Sequence, residues 1–165
     1  MTGQAALCLR PAVTADAVAL AEVYATAVLS RGRGHYGPRE LAAWAAQGSA
    51  ARFAAMLADP AKRLLAAELD RRLVGLAGLE GDQCILLYAA PTAPPGTGTA
   101  LLAAVEALAR DRGLAVLSLT ASRNAVPFYL RRGYAILTVA SRPLPGGVAL
   151  PVCLMAKELA GLIHE

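Results

Sequence analysis

Charge, cysteine and histidine are all scarce in this chain of 165 residues. Charged residues make up 17% of it, aromatics 5%, and there are three cysteines and two histidines. The cysteines (Cys8, Cys84, Cys153) lie far apart, are odd in number and sit in apolar strand-like runs. They read as buried free thiols of a reducing compartment rather than a disulfide framework. With only His35 and His164 beside them, a zinc cluster has no ligands, and no metal is expected. Also missing is any stretch of about 18 uncharged apolar residues, so no membrane span is expected. No basic segment leads into an apolar core at the N-terminus, which predicts no signal peptide and a cytoplasmic protein.

What is present is alanine. The chain is 56% hydrophobic with mean hydropathy +0.47, and much of that excess is alanine in runs such as ELAAWAAQGSAARFAAMLA. Alanine is the best helix former and a weak hydrophobe, so the composition predicts light helices on a soluble domain, neither disordered nor membrane-spanning. The length predicts one domain over residues 1–165. Net charge is +4 and the isoelectric point is near 9.3, with the cations mostly arginine and never clustered beyond the pairs Arg71-Arg72 and Arg131-Arg132. No aromatic-rich basic stripe accompanies them. Nucleic acid therefore has only net charge in its favour, and a small polyanionic ligand suits the surplus equally well.

The hydrophobic periodicity predicts an extended run over Ala6 to Arg10 and then a helix from Ala15 to Arg31, stopped at Gly32. The loop RGRGHYG leads to Pro38 at the first position of a second helix carrying Leu41 and Trp44. A third starts at Ser49, places Phe53, Met56 and Leu57 on one face, and ends before Pro60. From Arg63 the pattern changes to three strands, LLAAEL, DRRLVGLAGLE and QCILLYAA, turning at Asp70-Arg71 and Gly81-Asp82. The segment PTAPPGTGT enters a helix from about Gly98 to Arg112, closed by Gly113. A strand AVLSLTA, a helix over Ala125 to Arg132, and strands YAILTVA and VALPVCLMA around the loop SRPLPGG complete a mixed α/β layer structure.

Two segments carry chemistry. In Cys84 to Arg112, a buried strand and a glycine-containing turn enter a helix, whose unpaired N–H groups and positive dipole end favour phosphate oxygens. A tight strand-to-helix connection is the plain alternative. Neither a P-loop nor a complete dinucleotide fingerprint is present. In LSLTASRNAVPFYLRRGY, Asn124 is placed to cap a helix with Pro127 in its first turn, and Phe128 and Tyr129 serve equally as core aromatics.

Together and in this order the two segments resemble the GNAT superfamily of N-acetyltransferases, of the small bacterial single-domain type. LLYAAPTAPPGTGTALLAAVEALARDRG is similar to the family's acetyl-CoA strand, pyrophosphate loop and helix, and ASRNAVPFYLRRGY to its second signature. The similarity extends to LRPAVTADAVALAEVY, HYGPRELAAW and GVALPVCLMAKEL. It implies an α/β (α+β) fold, with a mixed, mostly antiparallel central sheet of about seven strands. The sheet would be splayed between strands 4 and 5 and carry helices on both faces. It also implies acetyl-CoA as acyl donor and an amine of a small molecule or peptide as acceptor, with no nucleic acid or membrane partner and a monomer or homodimer. The apolar last strand is a candidate for pairing across such a dimer.

The resemblance assigns the cofactor to Leu87, Tyr88, Ala89, Gly96, Thr97, Gly98, Thr99, Ala100 and Asn124. An amide near Tyr88 or Ala89 would polarise the thioester carbonyl. Tyr129 matches the family tyrosine that protonates the departing thiolate, with packing as the alternative. An amine of pKa about 10.4 is only about 0.04% neutral at pH 7, so a base is needed. Glu80 and Asp82 are candidates just before the cofactor strand, although the turn position favours reading both as solvated turn residues; Glu68 is a third, and a water chain could substitute. His35, Tyr36 and Trp44, in or after RGRGHYG, would face the acceptor.

One departure stands out. Where the family loop has a charged residue and free amides, this chain has Ala93-Pro94-Pro95-Gly96, and the two prolines remove two N–H donors. At roughly 1.5–3 kcal/mol per hydrogen bond to a charged group, their loss would weaken binding about a hundredfold or more. A catalytically degenerate GNAT-fold ligand-binding or regulatory protein is therefore the alternative to an enzyme.

Overall fold

The computed structural model describes residues 6–159; His164 lies outside them. Seven strands form one sheet in the order β1-β2-β3-β4-β5-β7-β6. They are β1 (Cys8–Pro11), β2 (Lys62–Leu69), β3 (Arg72–Glu80), β4 (Gln83–Ala89), β5 (Val116–Ser122), β6 (Ala135–Leu144) and β7 (Val148–Glu158). Every neighbouring pair is antiparallel except β4 and β5. Helices α1 (Ala17–Arg31), α2 (Pro38–Ala45) and α3 (Ala50–Ala58) cover one face, while α4 (Thr97–Asp111) and α5 (Val126–Leu130) cover the other. The fold is thus the α/β arrangement that the resemblance implied.

Local chemistry explains the boundaries. Gly32 follows the last residue of α1, Pro38 opens α2, and the Ser49 hydroxyl caps α3 by accepting from the Arg52 amide at 3.1 Å. Asp70 and Arg71 both take positive φ, 51° and 63°, and form the two-residue hairpin turn that suits the twist of β2 and β3. Because both faces of the sheet are covered, its central strands are continuously apolar: Val74 to Leu79 of β3 are all buried.

Four expectations change. β6 runs on through Leu144, so most of SRPLPGG is strand; Pro143 is tolerated because β6 is the sheet edge. β7 lies between β5 and β6, so the last strand offers no free edge for a dimer. The helix expected over Ala125 to Arg132 is shorter, with a 3-10 turn at Arg123–Ala125 preceding α5. Cys84 is buried, but Cys153 is half-buried and Cys8 is exposed, because β1 is the other edge strand; all three are free thiols.

The entry to α1 is held by charge. Arg10 donates to both carboxylate oxygens of Asp16, at 2.8 and 3.0 Å, and to Glu68 at 2.9 Å, while Asp16 also accepts the Val13 amide at 2.8 Å. The Arg10 hydrogen bonds hold the Asp16 carboxyl below its ordinary value of 3.8. A depressed folded-state value means that the stabilisation is complete above about pH 4 and disappears as pH falls through the depressed value. Asp16→Asn is therefore expected to cost about 1–2 kcal/mol at pH 7 and progressively less as pH falls below about 4, as read from urea midpoints across that range.

Candidate active site

The site begins where two strands part. β4 and β5 pair only at Gln83↔Ser118 and Cys84↔Leu119, and beyond that they diverge. An extra residue in β4 marks the point of divergence. The β3 register steps from Leu79↔Cys84 to Gly78↔Leu86, leaving Ile85 unpaired as a bulge. A bulge shifts the face on which later side chains emerge. Accordingly Cys84 packs in the core under α4, and Leu86, only two residues on, packs in the core under α1.

Past the bulge, the Ala90 amide bonds to the Val74 carbonyl at 2.8 Å, which fixes the alternation of the strand. The N–H groups of Leu87 and Ala89 then point away from β3 into the gap, whereas that of Tyr88 points to β3. Arg31 reaches the Ala89 carbonyl from the gap side, with Nε at 3.1 Å. Of the Tyr88 and Ala89 amides, only that of Ala89 points into the gap, as does that of Leu87.

Three cavities follow the gap. The first, about 330 Å³, lies at the open end and includes Ala89, Gly98, Asn124, Phe128 and Tyr129 in its wall. A constriction of about 60 Å³ follows, sharing Leu87, Tyr88 and Tyr129 with the first cavity. The third, about 420 Å³, shares Cys84, Leu86, Tyr88 and Thr120 with the constriction and opens between α3 and the β6–β7 hairpin. Tyr88 lines all three.

At the mouth of the first cavity, residues Pro94 to Thr97 make a β-turn. The Thr97 amide bonds to the Pro94 carbonyl at 3.3 Å, and Gly96, at φ 90° and ψ −3°, occupies the position that requires positive φ. The Thr97 hydroxyl also donates to that carbonyl, at 2.7 Å, so both Thr97 donors are taken and its side chain is buried. The Ala100 amide begins the α4 ladder by bonding to the Gly96 carbonyl at 2.9 Å. Within the loop expected to bind phosphate, the amides of Gly96, Gly98 and Thr99 are left without a backbone partner.

Sequence reasoning missed a cation beside those amides. Arg132 donates from its guanidinium to the Thr99 hydroxyl, and from Nη1 to the Phe128 carbonyl at 2.9 Å. Its guanidinium lies over the Phe128 ring, 3.7 Å from the centroid. The positive charge absent from the loop is thus delivered from another element. The signal was legible: Arg132 is four residues after Phe128, on the same side of a helical turn.

Asn124 does not cap α5. It sits inside the 3-10 turn, no side chain caps the helix, and its Oδ1 is buried without a hydrogen-bond partner. A buried orphan acceptor in a cavity wall asks for an N–H donor from a ligand, and the amides of a pantetheine arm are such donors. Tyr129 is buried between Phe128 and Tyr134, with ring centroids at 5.2 and 5.5 Å, and it lines both the first cavity and the constriction. Burial first, and then the neighbouring Cys84, Tyr88 and Tyr134, raise its hydroxyl well above the usual 10, so it remains protonated. Burial also pushes the Cys84 thiol up to about 12, which leaves it no thiolate character.

The remaining candidates separate. Glu80 lines the 420 Å³ cavity, its carboxylate 2.7 Å from Lys62 Nζ. Asp82 is exposed in the β3–β4 turn, and Glu68 is held by Arg10 at the far side of the sheet; neither lines any of the three cavities. His35 and Trp44 lie in the wall of the 330 Å³ cavity, not the larger one. Tyr36 lines none of these three cavities: its hydroxyl donates to the Pro151 carbonyl and accepts the Arg123 amide at 2.8 Å, anchoring the loop after α1.

A family model, the acetyltransferase (GNAT) domain, matches residues 33–142. Among solved structures, the chain is 31% identical to a GCN5-related N-acetyltransferase (Aminotransferase, Class-II) from Rhodopseudomonas palustris, with TM-score 0.87 over 96% of this chain and 99% of that one. It is 20% identical to the PaiA N-acetyltransferase of Thermoplasma acidophilum in complex with coenzyme A, with TM-score 0.75 over 93% and 99%. It is also 20% identical to yncA of Salmonella typhimurium with its cofactor acetyl-CoA, with TM-score 0.62 over 97% and 98%. No curated protein matches the chain.

Proposed function

Because this chain belongs to the GNAT acetyltransferase family, we propose that it is a working N-acetyltransferase that takes acetyl-CoA as donor and an amine as acceptor. The observation that carries the reading is the gap between β4 and β5. It holds an orphan acceptor at Asn124, and free amides and a cation stand at its mouth. Those groups suit a neutral amide-bearing arm followed by a pyrophosphate. The 330 Å³ cavity would take the arm and the 420 Å³ cavity the acceptor, meeting at the constriction between Tyr88 and Tyr129.

The acceptor amine attacks the thioester carbonyl, the C–S bond breaks, and CoA leaves as the thiol. The Ala89 amide points where the carbonyl oxygen would gain charge. The Tyr129 hydroxyl would give its proton to the departing sulfur and be reprotonated from solvent. Glu80, in the acceptor cavity, would take the proton released by the amine, through water. An acyl-cysteine route lacks support, because Cys84, the thiol that lines the constriction, is held protonated.

Calorimetric titration with acetyl-CoA should give a dissociation constant at or below about 100 μM. No heat at millimolar ligand would sink the reading and leave a degenerate GNAT fold. Arg132→Gln is expected to weaken acetyl-CoA by about tenfold or more while binding of pantetheine, which lacks the pyrophosphate, is unchanged. Equal affinity for acetyl-CoA in the variant and the parent would remove Arg132 from the site.

A further inference from the structure

The 420 Å³ cavity has an excess of positive charge, with Arg52, Lys62 and Arg142 against Glu80. Two of the cations are already engaged. Lys62 lies 2.6 Å from Asp59 and 2.7 Å from Glu80, and Arg52 donates to Gln47 at its carbonyl and its Oε1, at 3.1 and 3.0 Å. Arg142 is half-buried and has neither ion pair nor hydrogen bond among the described residues. It projects from β6, opposite Leu150 of β7, into the wall shared by the large cavity and the constriction. Its charge is felt there: burial raises the hydroxyls of Tyr24 and Tyr88, and Arg142 pulls each part of the way back.

A guanidinium carries five donors in a planar fork, and a half-buried one lacking an anion has lost hydration without replacement. The rest of the wall is mixed, with Tyr24, Phe53 and Met56 beside Gln47, Gln83 and Ser141. We infer that Arg142 is a specificity residue that receives a carboxylate of the acceptor, so that the acceptor is an amine of amino-acid type. A planar carboxylate fits the fork in a bidentate pair, and the amine would then lie toward the constriction. A polycationic amine meets three positive side chains in this cavity and is disfavoured.

The inference rests on the acetyltransferase reading, and the test separates the two. Acetyl-CoA turnover is followed as CoA release with matched pairs: L-leucine and L-leucinamide, L-methionine and L-methioninamide, L-phenylalanine and L-phenylalaninamide. The free acids are expected to exceed their amides by at least about tenfold in kcat/KM. Arg142→Gln should lower kcat/KM for the acids at least about tenfold more than for the amides, mainly through KM, and Arg142→Lys should restore part of the preference. Several results overturn the inference: amides used as well as acids, acids and amides slowed alike in Arg142→Gln, or no acid bound or used by a protein that binds acetyl-CoA. A preference for succinyl-CoA that is lost in Arg142→Gln also overturns it, placing the carboxylate on the donor. If acetyl-CoA itself fails to bind, the acetyltransferase reading falls instead, and calorimetry identifies that case.

Discussion

Replacing Tyr129 with phenylalanine is expected to slow acetyl transfer about a hundredfold while acetyl-CoA affinity stays within about twofold. The substitution keeps the ring between Phe128 and Tyr134 and removes only a hydroxyl that faces the first cavity and the constriction. Stability should therefore change little. In water a thiolate, whose thiol has a pKa near 8.5, is a weaker base than the anion of a phenol near 10, so a full proton transfer from tyrosine runs uphill by about 2 kcal/mol. Burial alters both partners here. Tyr129 is raised well above 10, and the same surroundings lift the Cys84 thiol to about 12. A thiolate leaving in that place would be a stronger base by the same cause, so the mismatch is not widened by raising the tyrosine alone. Because the hydroxyl stays protonated, the rate should show no alkaline decline from Tyr129 below pH 10. Rapid-quench measurement of CoA release, set beside calorimetric affinity, reads both quantities. Full activity in Tyr129→Phe would show that this side chain only packs.

Much of this arrangement was legible in the chain, because elements follow from local patterns. Pro38, Ser49 and Gly113 bound helices for reasons of backbone chemistry that need no tertiary information. What was illegible depended on register or on contacts between distant segments. One extra residue at Ile85 decides which β4 side chains face which cavity, and the run QCILLYA is apolar on either register. Asn124 fitted a cap by spacing, but the 3-10 turn moved it inward. Tyr36 and His35 came from one loop, yet the long-range bonds from Tyr36 to Pro151 and Arg123 turn that loop toward the first cavity. The larger cavity is instead walled by α3 and the extended β6, and β6 was longer than expected because an edge strand tolerates Pro143.

The packing that shapes this larger cavity predicts the second large effect, at a residue that touches no ligand. A Cβ at Gly48 would stand 2.1 Å from Cδ1 of Tyr24 and 2.7 Å from its Cγ. The ring is held by its neighbours and can yield only toward the large cavity: it is 3% exposed, tilted on Tyr88 at 4.7 Å and edge-on to Phe53 at 5.9 Å. Its hydroxyl is tied to the Trp44 carbonyl at 3.3 Å, at the end of the same helix that Gly48 follows. Gly48→Ala must displace either the α2–α3 connection or the ring, at about 3 kcal/mol, which lowers the melting temperature by roughly 6–12 °C in a domain of this size. Moving the ring would also narrow the 420 Å³ cavity that Tyr24 lines, so acceptor KM should rise more than acetyl-CoA affinity falls. A double-mutant cycle isolates the cause. In a Tyr24→Leu background the six-membered ring is gone, and Gly48→Ala should cost at least about 1 kcal/mol less than it does in the parent. An unchanged cost in that background would place the strain in the backbone at Gly48 instead of in the ring it faces.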